Sequence, residues 1–301
     1  MKLVVICGAT ATGKSDLAVE CAKRLNGEVI SCDAFLVYQG LNIGTAKPTK
    51  DEMGGIPHHM IDVSAACDKF SVSDFERLAL PILEDMISRG KTPVLCGGTG
   101  FYMNALLYSH SFGNAPASAA VRQKYEGILK ERGREYLHSL LREVDPESAE
   151  ILHVNDTVRV IRALEIYALT GKKKSEQNDP KTPRYPFVSF ALDYPREELY
   201  ARIERRVDRM IEAGLVEEVK GLLESGVPEN AQCMQGIGYK EVVKFLKNGQ
   251  LQSIMSDIIK QNTRNYAKRQ LTFFKRMENL HWLKPMDLTR AAEEVVRIYE
   301  S

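Results

Sequence analysis

Eight residues near the start of the chain constrain it most. Gly8-Ala9-Thr10-Ala11-Thr12-Gly13-Lys14-Ser15 fits G-x-x-x-x-G-K-[ST] at every fixed position. Glycines let the backbone curl until several N–H groups converge. A helix that follows adds the positive end of its dipole. Lys14 supplies a mobile cation for terminal phosphate oxygens, and the Ser15 hydroxyl suits Mg²⁺. Such a turn needs a buried strand before it and a helix after it. Leu3-Val4-Val5-Ile6-Cys7 is a short apolar run ended by glycine, and Asp16 to Leu25 shows helical spacing at Leu17, Ala18, Cys21 and Leu25. The motif specifies a bound polyphosphate. It does not distinguish ATP or another nucleotide from a diphosphate ester.

The pattern continues as strand and helix. Glu28 to Cys32 and Thr92 to Cys96 read as strands, and Phe75 to Ile87 reads as a helix. This alternation predicts an α/β fold: a phosphate-loop (P-loop) parallel sheet flanked by helices, with ligands at the carboxyl ends of the strands. Helical patterns then dominate over Val121 to Arg132, Glu135 to Val144, Pro146 to His153 and Thr157 to Leu169. Asn114 and Pro116 bound this stretch on one side, and Asn178, Asp179, Pro180, Pro183 and Pro186 on the other. We read 113–186 as a mainly helical insertion in a core made of 1–112 and 187–301. In the second part of the core, Phe187 to Leu192 returns to the sheet and Arg196 to Leu223 predicts one long amphipathic helix. Ser253 to Met277 predicts another helix, and Leu280 to Leu283 a last strand.

Composition excludes several classes. Apolar residues make up 44% and charged residues 27%, an ordinary globular balance, with a net charge of +1. The six cysteines form no CxxC pair and no Cys/His cluster of zinc spacing, which suits a reducing compartment. No run approaches the ~20 apolar residues of a membrane span, and the first apolar run is too short for a signal-peptide core. The expectation is a cytoplasmic monomer with no membrane partner.

The acidic residues narrow the chemistry. An NTPase usually places a second carboxylate at the end of a neighbouring strand. Here Thr92 to Cys96 ends in Gly97-Gly98-Thr99, and the one carboxylate at a strand end is Asp33. This argues against an ATP motor and leaves room for a diphosphate-bearing substrate that reacts at carbon.

From Ser31 the chain reads Ser31-Cys32-Asp33-Ala34-Phe35-Leu36-Val37-Tyr38-Gln39-Gly40-Leu41-Asn42-Ile43-Gly44-Thr45-Ala46-Lys47-Pro48. Further blocks follow: Ile56-Pro57-His58-His59-Met60-Ile61-Asp62, Gly97 to Tyr102, Asn155-Asp156 with Arg159 to Glu165, Gly236 to Glu241, and Thr263 to Gln270. In this order they resemble the tRNA dimethylallyltransferases over nearly the whole chain. The T-A-K-P and Y-A-K-R-Q blocks are the specific ones. Ala34 stands where that family usually has serine, Val154 where it has proline, and Phe273 where tryptophan is common.

The resemblance implies transfer of a dimethylallyl group from dimethylallyl diphosphate, with Mg²⁺, to N6 of the adenosine 3′ of the anticodon. It implies catalytic roles for Asp33 as base, Thr10, Lys14 and Arg206. The diphosphate would lie on Gly8, Ala9, Thr10, Ala11, Thr12, Gly13, Lys14, Ser15 and Arg206, with Ser15 at the metal. Arg206 is favoured over Arg202, one helical turn away. The tRNA anticodon stem-loop would meet Asp33, Ala34, Phe35, Leu36 and Thr99. It would also meet Val158, Arg159, Val160, Ile161 and Arg162, then Gln235, Gly236, Tyr239 and Lys240, and finally Arg264, Lys268 and Arg269. His58 and His59 lack a third ligand and read as loop packing, and the run Lys172 to Lys174 as a solvated loop.

Between Lys260 and Arg276 there are basic residues and no acidic one, with Tyr266, Phe273 and Phe274 interleaved. Helical spacing puts Lys260, Arg264 and Lys268 on one face, a stripe suited to RNA phosphates, and Tyr266 or Phe273 suits base stacking. Rival readings are a P-loop kinase of a nucleoside or small metabolite, a prenyltransferase of free adenine nucleotides, and a nucleotide-gated RNA-binding switch. The first two leave the basic, aromatic-bearing helix and the helical insertion unexplained, and the missing second carboxylate at a strand end weighs against the third.

Overall fold

The computed structural model describes residues 1–109, 118–177, 182–249 and 251–301. The sequence punctuation at Asn114, Pro116, Asn178, Asp179 and Pro180 lies outside the described residues. The chain divides into two compact units, Met1–Leu107 with Pro183–Ser301, and Tyr108–Thr182. The second unit thus ends earlier than the expected 186. Residues 183–186 are tied to the first unit: the Arg184 N–H donates to the Leu107 carbonyl at 2.8 Å, the Leu3 N–H donates to the Pro186 carbonyl at 2.8 Å, and Arg184 pairs with Glu76.

Among its described residues the first unit carries a parallel sheet of six strands: β1 (Leu3–Cys7), β2 (Gly27–Ser31), β3 (His58–His59), β4 (Thr92–Gly97), β5 (Phe187–Leu192) and β6 (Leu280–Leu283). The order is β3-β2-β4-β1-β5-β6 and every pairing is parallel. Strands β1, β2 and β4 are buried at every residue, the expected result of covering both faces of a parallel sheet. Helix α1 (Lys14–Arg24) buries Leu17, Ala18, Cys21 and Ala22 against the sheet. Val4, Ile6, Val94, Phe190 and, from the last helix, Val295 complete this core. Helices α2 (Val72–Ser88) and α3 (Gly100–Leu107) follow, and α2 begins with a capping box between Ser71 and Asp74. Helix α3 is apolar almost all round, so periodicity does not reveal it.

The second unit packs α4 (Ala119–Val144), α5 (Pro146–Ile151) and α6 (Thr157–Thr170). Helix α4 carries non-helical backbone at Gly133, the break between the two helices expected there. Glu165, fully buried on α6, accepts from Arg122 Nε (3.0 Å), Arg162 Nη1 (2.6 Å) and the Ser118 N–H (2.7 Å). A buried carboxylate needs such partners.

The remaining helices belong to the first unit: α7 (Arg196–Glu212), α8 (Leu215–Glu224), α9 (Tyr239–Asn248), α10 (Gln252–Phe274) and α11 (Leu288–Glu300). The single helix expected over Arg196 to Leu223 is therefore corrected to two. Gly214 takes φ 98° and ψ 35°, a left-handed conformation that ends α7 and redirects α8. Apolar spacing runs through the break because both helices bury a stripe.

Candidate active site

The loop after β1 is built as its glycines require, with Gly8 at φ 129° and Gly13 at φ 87°. Ala11 is left-handed at φ 63°, a conformation costing a side-chain-bearing residue roughly 1–2 kcal/mol. Arg202 Nε braces it by donating to the Ala11 carbonyl at 2.8 Å. The Ala9 carbonyl accepts from Thr12 Oγ1 (3.0 Å) and from Lys14 Nζ (3.3 Å). Burial pushes the Lys14 ammonium below its usual pKa; Arg206 acts in the same sense and Asp33 opposes them. Burial likewise lowers Arg206, again opposed by Asp33. Two desolvated cations beside one carboxylate form a site that gains by receiving an anion.

Two cavities adjoin this loop. The first is lined by Thr10, Lys14, Ser15, Leu36, His58 and Cys96 among others. The second is lined by Phe35, Gln235, Gly236, Tyr239, Lys240 and Arg269 among others. Thr10, Asp33, Thr45, Arg206 and Tyr266 line both. The carboxylate and the anion-holding loop thus share one space. One oxygen of Asp33, Oδ1, accepts from the Phe35 N–H at 2.9 Å, a local turn that fixes the side chain. Burial, with Asp33 as a neighbouring charge, pushes the Tyr266 phenol up to about 12, so it is protonated at neutral pH and hydrogen-bonded to Thr99 and Gln270. Burial also raises Cys96 to about 11, leaving a neutral thiol in the first cavity.

Several expected residues are placed otherwise. Thr99 lines neither cavity; its Oγ1 accepts from the Ala34 N–H at 3.1 Å and its side chain is hydrogen-bonded to Tyr266 on the shared wall, and Ala34 is also off both walls. The phosphate stripe on α10 is largely neutralised from α7. Lys260 Nζ lies 2.6 Å from Asp208, and Arg264 Nη1 lies 2.7 Å from Glu204. Lys268, Arg269, Lys275 and Arg276 are exposed. In the other unit Val160 and Ile161 are buried in the helical core and cannot meet RNA; Val158 and Arg159 are exposed, and Arg162 is held by Glu165. His58 Nδ1 lies 2.9 Å from the Ile56 carbonyl and His59 Nε2 lies 2.8 Å from Glu28, both packing roles. Among the described residues no His/Cys/Asp/Glu cluster has the form of a metal site.

Sequence reasoning assigned no site role to Gln270 or Thr45. The buried Gln270 amide accepts from the Thr10 N–H (2.9 Å) and donates to the Gly98 carbonyl (3.1 Å), locking the loop to the turn after β4. The Thr45 carbonyl accepts from Arg206 Nη2 at 3.2 Å. Both lie in the T-A-K-P and Y-A-K-R-Q blocks, and their function depends on contacts that a linear reading does not contain.

The family model described as IPP transferase matches residues 36–277. The chain is 44% identical to a tRNA dimethylallyltransferase of Acetivibrio thermocellus over 93% of this chain and 91% of that one. It is 45% identical to one of Oceanobacillus iheyensis over 94% and 90%. Among solved structures it is similar to a tRNA isopentenylpyrophosphate transferase of Bacillus halodurans, at 40% identity and TM-score 0.71, covering 100% of this chain and 99% of that one. It is also similar to a eukaryotic dimethylallyltransferase described as acting on tRNA, at 31% identity and TM-score 0.85, covering 99% and 78%. With the family model matched over residues 36–277 and relatives above 40% identity along nearly the whole chain, the chain belongs to the IPP transferase family.

Proposed function

We propose that this protein transfers the dimethylallyl group of dimethylallyl diphosphate to the exocyclic N6 of the adenosine 3′ of the anticodon in tRNA. The observation that carries the reading is the common wall of the two cavities, formed by Thr10, Asp33, Thr45, Arg206 and Tyr266. The diphosphate belongs on the loop side, between the turn amides, Lys14 and Arg206. The adenine enters from the side lined by Phe35, Gly236, Tyr239 and Arg269. A base inside a loop stack must be extruded to reach such a pocket. Gln235, Lys240 and Arg269 give that side its RNA-facing polar rim.

The adenine amine is a weak nucleophile, because its lone pair is delocalised into the ring. It attacks the allylic C1; the C–N bond forms as the C–O bond breaks, and diphosphate leaves with the bonding electrons. Asp33 accepts the proton released from nitrogen. Lys14 and Arg206 take up the charge that develops on the leaving group. The Ser15 hydroxyl offers one hard oxygen ligand at the loop, which suits Mg²⁺, an ion that keeps water and substrate phosphates as most of its shell. When bound there it supplies further charge neutralisation.

The test is to incubate the protein with Mg²⁺ and labelled dimethylallyl diphosphate, adding either unmodified tRNA or free AMP. Label is expected in tRNA at the adenosine 3′ of the anticodon. Label in AMP alone, or none in either, refutes the reading.

A further inference from the structure

The Glu218 carboxylate accepts four hydrogen bonds: from the N–H groups of Asn42 (2.9 Å), Ile43 (2.7 Å) and Gly44 (3.1 Å), and from the Tyr239 hydroxyl (2.6 Å). Successive amides converging on one anion form a nest, filled here by a side chain of the protein itself. The packing is equally tight. A Cβ on Gly44 would lie 2.5 Å from the Tyr239 ring, so only glycine fits. Segment 41–47 is closed on itself. Thr45 Oγ1 donates to the Leu41 carbonyl (2.7 Å), the Ala46 N–H to Ile43 (3.0 Å) and the Lys47 N–H to Asn42 (2.9 Å). The Thr45 carbonyl at its centre accepts from Arg206. Glu218 lines neither cavity.

We propose that Glu218 is a positioning residue for diphosphate binding. It pins the 42–44 amides, and through the closed turn it sets the Thr45 carbonyl that orients the Arg206 guanidinium. The same carboxylate fixes Tyr239, a wall of the second cavity, so one side chain holds elements of both substrate spaces in register. The break at Gly214 makes this possible, because α8 departs from the line of α7 and carries Glu218 to the turn. The inference rests on the prenyl-transfer reading.

Its test is a double-mutant cycle of Glu218→Gln and Arg206→Ala, with dimethylallyl diphosphate varied at saturating tRNA. The glutamine amide presents an NH₂ group to donors that need an acceptor. Losing one well-set charge-assisted hydrogen bond corresponds to a rise of about tenfold in the KM for dimethylallyl diphosphate, with kcat changing less than KM. With Arg206 already replaced, Glu218→Gln should change KM by less than about twofold. Equal factors in both backgrounds, or an unchanged KM in the first, overturn the proposal. Glu218→Asp keeps the charge but cannot span all four donors, and it serves in both backgrounds if the glutamine variant does not fold. Affinity for inorganic pyrophosphate in the same four proteins reads the positioning without the reaction. A wild-type enzyme inactive on tRNA would therefore reject the proposed function and still leave the Glu218 cycle measurable.

Discussion

Replacing Asp33 by asparagine removes a proton acceptor and changes little else. Its Oδ1 accepts from the Phe35 N–H at 2.9 Å. The asparagine oxygen can accept the same bond, so the turn that carries residues 33–36 persists. The volume of the cavity wall is also kept. What changes is the base: a general base contributes roughly 10²- to 10⁴-fold in rate, or about 2.7–5.5 kcal/mol of barrier. The electrostatics give a second, opposite sign. Asp33 opposes the downward pKa shifts of Lys14 and Arg206 and so balances their charge. Removing it leaves the loop side more positive, and the KM for dimethylallyl diphosphate should hold or fall. Single-turnover transfer of label to tRNA measures the first effect, and pyrophosphate binding the second. Turnover within about tenfold of wild type would mean Asp33 is not the base, since a general base typically contributes at least about a hundredfold. A large loss of turnover accompanied by weaker pyrophosphate binding would mean that it acts through the anion site instead.

Other perturbations test the rest of the site and the fold. tRNA affinity should fall steeply with salt; Lys268→Gln should reduce the log–log slope by about 0.7–0.9, while Lys260→Gln, already paired with Asp208, should leave it unchanged. Equal effects of the two would refute the neutralisation of Lys260 by Asp208. Gly98→Ala should destabilise the first unit by about 1–3 kcal/mol and lower kcat, because a Cβ there would lie 2.1 Å from Gln270 Nε2; a wild-type thermal midpoint would show that Gln270 is not held as described. Hydrogen bonds from Arg89, and then from His59, hold the Glu28 carboxyl down from 4.5 to about 2. A depressed carboxylate stabilises the fold fully above its unfolded value and loses that contribution as pH falls toward the folded one. Urea midpoints of wild type and Arg89→Met should therefore be separated above pH 4.5 and converge near pH 2.

The legibility of the fold in the sequence tracks how local its causes are. The first strand, the glycine turn and α1 are specified by consecutive residues, and all are visible without coordinates. Asp33 is visible as well, because a carboxylate just past an apolar strand is conspicuous. Gly214 is not, since its effect appears only as a φ of 98° in the middle of an unbroken apolar stripe. Helix α3 lacks a polar face, and β3 is only two residues long, held by pairing to β2. Lys260 and Arg264 show the reverse error. Their spacing on α10 is real, but the acids that neutralise them, Asp208 and Glu204, come from a helix 50 to 60 residues earlier. Charge read along one helix cannot anticipate a partner on another.

The turn after β4 explains how a phosphate loop shared in outline with nucleotide hydrolases can serve chemistry at carbon. In a hydrolase the end of that neighbouring strand is where a second carboxylate would hold metal or orient water. Here a Cβ on Gly97 would lie 2.1 Å from the Cys32 carbonyl oxygen, and one on Gly98 would lie 2.1 Å from Gln270 Nε2. No acidic side chain can stand at either position without moving the backbone or the glutamine. The space is filled instead by an amide that accepts from the Thr10 N–H and donates to the Gly98 carbonyl, and by Tyr266, whose phenol stays protonated. Neither group can take a proton from water at neutral pH. Among the described residues the one carboxylate on the shared wall is Asp33, which also lines the second cavity, where the proposed nucleophile enters. Thus the same close packing that keeps a second acid out of the turn after β4 leaves Asp33, on the wall common to both cavities, as the carboxylate that the proposed reaction uses as its base.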